Sequence, residues 1–176
     1  MTEMIPAWNN GKLEPVEKLA VHLQGLKHLA VSVFVMQGNK TLLQRRALRK
    51  YHTPGLWANT CCTHPHWDED PTDCATRRLH QELGISGLEL RRTGSMEYRA
   101  EVGNGLTEHE VVEIFAAEAP EEFALNPDPG EVMETMWIAL SDLDALIRAQ
   151  PQQFTPWLSI YLAAGWGNAA LTHQSA

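Results

Sequence analysis

Residues 69–85 decide the fold, and they read Glu69-Asp70-Pro71-Thr72-Asp73-Cys74-Ala75-Thr76-Arg77-Arg78-Leu79-His80-Gln81-Glu82-Leu83-Gly84-Ile85. Apolar side chains recur in this stretch at helical spacing, at Ala75, Leu79 and Leu83. This spacing predicts a helix over residues 73–83. Thr72 or Asp73 is the predicted N-cap, and Gly84 stands where a helix-ending glycine is expected. A polar loop therefore leads into one amphipathic helix with a defined end.

Segments that favour strands surround this helix. Residues 28–36 are rich in Val and Phe and are predicted to form a buried strand, with residues 40–46 as its hairpin partner. Further predicted strands cover residues 85–98, 110–117 and 135–140, and further predicted helices cover residues 141–149 and 156–162. Residues 1–18 are predicted to form an irregular arm. Strands combined with a few helices predict an α/β (α+β) sandwich.

Composition limits the class of protein. The chain has 176 residues, of which 44% are hydrophobic and 20% are charged, so one domain with an ordinary core is expected. Its net charge of −8 argues against nucleic acid or a membrane surface as a partner, since both require a basic face. The N-terminus lacks the pattern of a signal peptide, and the apolar stretches are too short for a membrane span.

The cysteine pattern favours free thiols. Three cysteines are present, Cys61, Cys62 and Cys74, and two of them are adjacent. An odd number with such spacing makes a poor disulfide framework, so a reducing cytoplasm is the predicted location.

Two polar segments carry the chemistry. The first is Asn59-Thr60-Cys61-Cys62-Thr63-His64-Pro65, which places a thiol close to an imidazole, and the second is Glu108-His109-Glu110. A thiol and a carboxylate can exchange a proton with a substrate from opposite sides. His64, Glu108 and Glu110 have the ligand chemistry of a divalent metal site. The sequence thus offers an acid, a base and a metal in one pocket.

The helix and its preceding loop resemble a Nudix box, G-x5-E-x7-R-E-U-x-E-E-x-G-U. In register, Glu69, Arg77, Glu82 and Gly84-Ile85 match the box. Three positions depart from it, Thr63 for the first Gly and Arg78 and Gln81 for two glutamates. The resemblance implies a Nudix fold, in which mixed β-sheets lie between helices. The departures remove glutamates that Nudix hydrolases use to hold magnesium for diphosphate hydrolysis.

A second resemblance covers roughly residues 18–160. The chain resembles the type 1 isopentenyl diphosphate isomerases, which are Nudix-fold enzymes. The matching motifs are Pro54-Gly55, Trp57-Ala58-Asn59-Thr60-Cys61-Cys62-Thr63-His64-Pro65, Arg45-Arg46-Ala47, Tyr98-Arg99-Ala100, Glu108-His109-Glu110-Val111 and Pro156-Trp157. The resemblance implies conversion of isopentenyl diphosphate to dimethylallyl diphosphate in isoprenoid biosynthesis. The double bond would move through a tertiary carbocation.

The resemblance also implies roles for individual residues. The catalytic residues would be Cys62, Glu110, Tyr98 and Trp157. The diphosphate would be bound by Lys18, Arg46, Lys50 and Arg78. A divalent ion (Mn²⁺, Zn²⁺ or Mg²⁺) would be held by His22, His28, His64, Glu108 and Glu110. One further Mg²⁺ would bind with the diphosphate through Glu82, and no flavin is required.

Simpler explanations exist for several of these residues. Packing in the core explains Cys61 and Cys74, and Trp157 could also be a core residue. A hydrogen-bonded tyrosine in a sheet explains Tyr98 nearly as well as a catalytic role does. The other histidines have no implied role and are assigned to surface or core, namely His52, His66, His80, His109 and His173.

Two alternative functions stay open at this point. One is a Nudix diphosphate hydrolase, which Arg78 and Gln81 disfavour. The other is a non-enzymatic protein with a structural metal site. The predicted organisation is an arm closing the site over residues 1–25, a Nudix-like catalytic domain over residues 26–160 and a tail over residues 161–176. A small prenyl diphosphate is the expected partner, and a monomer or weak homodimer is the expected state.

Overall fold

The computed structural model of the chain describes residues 3–166. The strands are β1 (Met4–Asn9), β2 (Lys12–Glu17), β3 (His28–Gln37), β4 (Lys40–Arg46), β5 (Trp57–Ala58), β6 (Cys61–Thr63), β7 (Arg91–Gly103), β8 (Leu106–Glu118) and β9 (Val132–Ala139). The helices are α1 (Lys18–Gln24), α2 (Pro71–Leu83), α3 (Leu140–Ala149) and α4 (Pro156–Ala163), with a single 3-10 turn at Pro151–Gln153. Across this part of the chain, no helix has both the length and the apolar character that a membrane crossing requires.

Strand β3 organises a mixed sheet. It runs parallel to β8 in a register that begins with His28 opposite Glu110. It pairs in the antiparallel direction with β1, β4 and β6, while β7 pairs with β8 and β9 pairs with β4. Parallel pairing requires a long crossover between the two strands, and here α2 and β7 lie within it.

Both faces of β3 are buried, which explains its nearly continuous apolar sequence. Phe34 faces a core formed with α3 and α4, where Leu143 and Leu158 are fully buried. Val33, its neighbour in sequence, faces the opposite core with Leu79 of α2. Side chains alternate along a strand, so one strand supplies both cores. The helices cover the two faces of the mixed sheet, and the predicted α+β class is confirmed.

The predicted irregular arm over residues 1–18 is wrong. Strands β1 and β2 form an antiparallel hairpin in which Asn9 pairs with Lys12. Asn10 and Gly11 both adopt positive φ, of 50° and 80°, as a two-residue hairpin turn of this hand requires. The Asn-Gly pair was the available signal, and the prolines on either side of it obscured the strands.

Helix α1 was not predicted. The Glu17 side chain caps its N-terminus by accepting hydrogen bonds from the backbone N–H groups of Leu19 and Ala20. Gly25 ends the helix in the left-handed conformation, with φ of 60°. The helix has only seven residues, which is too short for a clear hydrophobic period. Its importance lies in its position, since it carries two predicted site residues.

Helix α2 is confirmed, but its N-terminus differs from the prediction. It begins at Pro71, and the side chain of Asp70 is the N-cap, accepting from the backbone N–H of Thr72 at 2.8 Å. Proline suits the first helical position because its missing N–H has no partner there in any case. Gly84 ends the helix as predicted, with φ of 69°, and a Cβ at this position would lie 2.8 Å from Asn126.

Other element boundaries shift by smaller amounts. The strand predicted over residues 85–98 is β7, which begins only at Arg91 and continues to Gly103. Strand β8 extends the prediction over residues 110–117 at both ends, and β9 begins before residue 135. Pairing partners, rather than local composition, determine where these strands begin and end.

Candidate active site

An open pocket with an empty volume of about 410 Å³ collects most of the predicted site residues. Its walls are formed by Lys18, Arg46, Lys50, Tyr51, His52, Cys62, Thr63, His64, Arg78, Glu108, Glu110 and Trp157. They come from α1, β4, β6, α2, β8 and α4 and from the loops after β4 and β6. Of the predicted residues, His22, His28, Tyr98 and Glu82 lie outside this lining.

A buried cluster of three imidazoles and a carboxylate adjoins the pocket, which His64 and Glu108 of the cluster also line. Ligand atoms of His22, His28, His64 and Glu108 all lie within 4.8 Å of one another. Oε2 of Glu108 is 3.0 Å from Nε2 of His22 and 3.2 Å from Nε2 of His28. Burial opposes ionisation of Glu108, but the three surrounding imidazoles outweigh it and hold its pKa well below the usual range.

The cluster fits a divalent metal ion. Nδ1 of His22 lies 2.6 Å from the carbonyl of Lys18, and Nδ1 of His28 lies 2.8 Å from that of Leu26. Each Nδ1 therefore donates its hydrogen to a carbonyl, so that a ring which gives up its Nε2 hydrogen to a metal directs the Nε2 lone pair into the cluster. Nε2 of His22 is buried and has no hydrogen-bond partner within residues 3–166, despite its closeness to Glu108. Imidazole nitrogens beside a carboxylate are the donor set that divalent transition metals prefer.

Glu110 connects this cluster to the rest of the pocket. Its Oε1 lies 3.2 Å from Nε2 of His64, and its Oε2 accepts a hydrogen bond from the Tyr98 hydroxyl at 2.7 Å. Burial, followed by the nearby Glu110 charge, raises the pKa of Tyr98 well above its ordinary value. Tyr98 therefore stays a hydrogen-bond donor to this carboxylate.

The Cys62 thiol is held as a donor by two polar side chains. Its Sγ donates to Oδ1 of Asn59 at 2.8 Å and lies 3.4 Å from Oγ of Ser32. The Asn59 amide in turn donates to Ser32 Oγ at 2.8 Å. Burial raises the pKa of Cys62 to about 12, with Glu110 adding to the shift and the Ser32 and Asn59 contacts opposing it. Cys62 is a neutral thiol in this arrangement.

Four basic side chains also line the pocket, and three of them are paired with carboxylates. Lys18 contacts Glu3 at 3.1 Å, Lys50 pairs with Glu131, and the side chain of Arg78 pairs with Glu82 at 2.5 Å. Arg46 differs from these, since no carboxylate pairs with it in the described part of the chain. Its guanidinium lies 5.3 Å from the ring centre of Trp157 and its Nε has no partner there. This arginine is available to an anion that enters the pocket.

Glu82 stands apart from the imidazole cluster. Its carboxylate is buried and accepts from Nε2 of Gln44 at 2.8 Å as well as from Arg78. Glu69, the other matching glutamate, is engaged by Arg77 through two hydrogen bonds of 2.6 and 2.7 Å. The Arg77 hydrogen bond is the main reason that the pKa of Glu69 falls to about 2.

Several residues of the pocket were missed from the sequence. Tyr51 and His52 line it, although His52 was assigned to surface or core. Ser32 and Asn59 hold the thiol, and they were treated only as parts of a strand and of a motif. The sequence signal for Asn59 is its place three residues before Cys62 in the same motif. Neither Ser32 nor His52 has a comparable local signal, because their partners are distant in sequence.

Comparisons with known proteins agree with this geometry. The NUDIX domain family matches residues 26–158. The chain is 63% identical over 163 residues to an isopentenyl-diphosphate Delta-isomerase of Cereibacter sphaeroides, covering 93% of this chain and 92% of the relative. It is 64% identical over 160 residues to the protein of that name from Rhodobacter capsulatus, covering 91% of each chain.

Solved structures share the fold. The DR0079 protein of Deinococcus radiodurans superposes with a TM-score of 0.75 at 14% identity, covering 92% of this chain and 98% of that chain. A Nudix hydrolase from M. smegmatis, RenU, superposes with a TM-score of 0.62 at 18% identity, covering 95% of this chain and 94% of that chain. At such identities the likeness concerns the fold alone.

Proposed function

The chain belongs to the NUDIX domain family and, within it, to the isopentenyl-diphosphate Delta-isomerases, and we propose that it converts isopentenyl diphosphate to dimethylallyl diphosphate. One observation on the chain's own residues supports this assignment. Cys62 and Glu110 line the same pocket as His64 and Glu108 of the imidazole cluster and as four basic side chains. A proton donor, a proton acceptor, a metal site and an anion site are therefore within reach of one small substrate.

The reaction requires an acid and a base on a bound alkene. A proton added to the terminal alkene carbon leaves a tertiary cation at C3, and loss of a proton from C2 places the double bond between C2 and C3. Cys62 and Glu110 form the acid–base pair. Tyr98 positions Glu110 and stabilises its charged form through the 2.7 Å hydrogen bond. Glu110 is buried and Cys62 is half-buried, which limits the access of water that would capture the cation.

The divalent ion belongs to the imidazole cluster. His22, His28, His64, Glu108 and Glu110 would hold it, and Mn²⁺, Zn²⁺ and Mg²⁺ all suit such ligands. When bound, the ion withdraws electron density from Glu110 and adjusts the proton affinity of that carboxylate.

The diphosphate belongs to the basic side chains of the pocket. Lys18, Arg46, Lys50 and Arg78 would bind its oxygens, and Glu82 would share one Mg²⁺ with them. Trp157 lines the pocket and would face the developing cation with its ring, a contact worth about 2 kcal/mol when desolvated. No flavin is part of the proposal.

Hydrolysis is the disfavoured alternative. Gln81 and Arg78 occupy positions where the Nudix box has glutamates, and Arg78 pairs with Glu82. The Glu69 carboxylate is also occupied, because both of its oxygens accept hydrogen bonds from Arg77. With two glutamates replaced and Glu69 engaged by Arg77, the box keeps too few free carboxylates to bind the several metal ions of diphosphate hydrolysis well.

The proposal includes several predictions made from the sequence. These are a cytoplasmic location, a monomer or weak homodimer, and no nucleic-acid or membrane partner. The division into residues 1–25, 26–160 and 161–176 also stays a prediction, and part of that tail, from residue 167 onward, lies outside the described residues.

The test is proton exchange followed by NMR. The protein is incubated with isopentenyl diphosphate, Mg²⁺ and Mn²⁺ in deuterated water. We expect dimethylallyl diphosphate that carries deuterium, formed by the wild type and by the control His80→Gln, whose side chain is exposed on α2. Cys62→Ala and Glu110→Gln should both lose product formation. Release of inorganic phosphate by the wild type would instead establish the hydrolase.

A further inference from the structure

His52 contacts the metal cluster from outside it. The residue is 5% exposed, and its Nε2 lies 3.3 Å from Oε1 of Glu108. The other oxygen of that carboxylate, Oε2, is the one that faces Nε2 of His22 and His28. The two oxygens of Glu108 therefore have separate neighbours, with the cluster on one side and His52 on the other.

The hydroxyl of Thr53 faces the other ring nitrogen of His52. Nδ1 of His52 lies 3.1 Å from the hydroxyl of Thr53. If the hydroxyl donates to Nδ1, Nε2 keeps its hydrogen and directs it toward Oε1 of Glu108, which accepts. Thr53 adopts a φ of 45°, which is unfavourable for a β-branched residue. The strained backbone thus coincides with the residue whose hydroxyl faces the imidazole.

The ring and main chain of His52 are also held on their other sides. The guanidinium of Arg46 donates to its backbone carbonyl at 3.3 Å. Edge-to-face contacts place its ring 5.9 Å from that of Trp157 and 4.4 Å from that of Tyr51. The imidazole is therefore fixed relative to both the basic side chains of the pocket and the cluster.

We propose that His52 is a positioning residue that holds Oε1 of Glu108, so that this carboxylate presents Oε2 alone to a divalent ion. The inference rests on the metal site of the proposed function and adds a residue to it. A carboxylate held at one oxygen binds as a monodentate ligand and loses less rotational freedom when the ion arrives. Removing such an outer partner typically weakens metal affinity by 10- to 100-fold.

The experiment measures Mn²⁺ binding by the metal-stripped full chain, using the electron paramagnetic resonance signal of free Mn²⁺. His52→Phe keeps a planar ring against Trp157 but removes the donor. His52→Gln restores an N–H at a similar reach. We expect a Kd about 10- to 100-fold higher for His52→Phe and a Kd within about threefold of wild type for His52→Gln. His80→Gln, on the exposed side of α2, is the control and should bind as wild type.

A second pair of variants tests the same contact without changing the ring. Thr53→Val keeps the β-branched shape and removes the hydroxyl, whereas Thr53→Ser keeps the hydroxyl. Thr53→Val should raise the Kd for Mn²⁺, and Thr53→Ser should leave it near the wild-type value. Should His52→Phe fail to fold, as judged by circular dichroism, this pair decides the matter alone.

The outcomes separate this inference from the proposed function. Wild-type Mn²⁺ affinity in both His52→Phe and Thr53→Val would overturn the positioning role, whatever the enzyme catalyses. The positioning role would also be overturned if His52→Gln bound Mn²⁺ as weakly as His52→Phe and Thr53→Ser as weakly as Thr53→Val. The affinity would then depend on the imidazole ring itself and not on its N–H group or on the Thr53 hydroxyl. A wild-type chain that binds Mn²⁺ but forms no dimethylallyl diphosphate would refute the isomerase and leave the role of His52 intact.

Discussion

Tyr98 and Glu110 face each other across the β7–β8 pair, and the phenol donates to Oε2 of the carboxylate at 2.7 Å. Their contact is a direct consequence of sheet register, because residues paired on adjacent strands project to the same face. The same register places His28 beside Glu110 on the other neighbouring strand. Glu110 therefore contacts Tyr98 on one neighbouring strand and lies beside His28 of the metal cluster on the other.

Removing the Tyr98 hydroxyl tests this contact. Tyr98→Phe should lower kcat by roughly 10- to 100-fold, because a hydrogen bond to a charged group contributes about 1.5–3 kcal/mol. KM for isopentenyl diphosphate should change little, since the phenol lies outside the pocket lining. Steady-state kinetics on the purified variant measure both. An unchanged kcat would return Tyr98 to the role of an ordinary sheet tyrosine.

The raised pKa of Cys62 makes its thiol unreactive. Because burial raises this pKa to about 12 from its ordinary value of 9.0, the thiolate fraction near pH 8 should be about a thousandfold smaller than for a free cysteine. The rate of alkylation of the metal-free protein by iodoacetamide should rise about tenfold per pH unit from pH 7 to 10, without a plateau. Mass spectrometry identifies the modified residue, and Cys62→Ser is the control. A plateau below pH 9 would contradict the neutral thiol.

Metal removal distinguishes an enzyme from a protein with a structural metal site. Treatment with a chelator should abolish isomerisation but leave a cooperative thermal transition, because neither of the two apolar cores includes a ligand of the imidazole cluster. Adding Mn²⁺ at 100 times its Kd should stabilise the fold by about 2.7 kcal/mol. Circular dichroism and calorimetry measure both effects. Unfolding on chelation alone would favour the structural site.

Two neighbouring arginines on β4 provide a matched pair of variants that tests diphosphate binding. Arg46 lines the pocket, whereas Arg45 points away and pairs with Glu134 at 3.2 Å. Arg46→Gln should lower kcat/KM by roughly 10- to 100-fold, since a charged hydrogen bond contributes about 1.5–3 kcal/mol. Arg45→Gln should stay within about twofold of wild type, as exposed ion pairs contribute little. Equal losses in both variants would indicate a general charge effect.

The N-cap of α2 provides a test of local stability. Asp70→Ala should lower the free energy of unfolding by about 1 kcal/mol, because the backbone N–H of Thr72 would lose its acceptor. Asp73→Ala should cost less, since it removes only a first-turn charge worth about 0.3–1 kcal/mol. Urea denaturation of both variants measures the difference. The reverse order would restore the N-cap predicted from the sequence.

Local patterns predicted the parts of the fold in which neighbours in sequence determine the structure. The helical spacing up to Leu83 and the glycine that follows it identified α2, and the apolar run from His28 identified β3. The N-terminal hairpin escaped prediction, although Asn10 and Gly11 form its turn, because β2 has no buried residue and its sequence carries no hydrophobic alternation. Strand limits at β7 followed pairing with β8, which no local window contains.

The residues of the candidate site also fall into two groups, those that the local sequence identified and those that only contacts between distant segments reveal. Its motifs, from Cys62 and His64 to Glu110, were recognised because the chemistry and order of the residues identify the family. The partners that hold those residues were not, since Ser32 reaches Cys62 only through the β3–β6 pairing. His52 was assigned no role because nothing in its local sequence shows that Glu108 is its neighbour.

The sequence by itself thus determined which residue types are present, the family to which they belong and the helix that closes the Nudix-like motif. The tertiary structure alone decided that His22 of α1, His28 of β3, His64 after β6 and Glu108 of β8 bring their ligand atoms within 4.8 Å. The physical reason is that hydrophobic periodicity records which face of an element is buried, but not which distant element covers it. The parallel register of β3 and β8 sets that relation, through backbone hydrogen bonds between segments far apart in the chain.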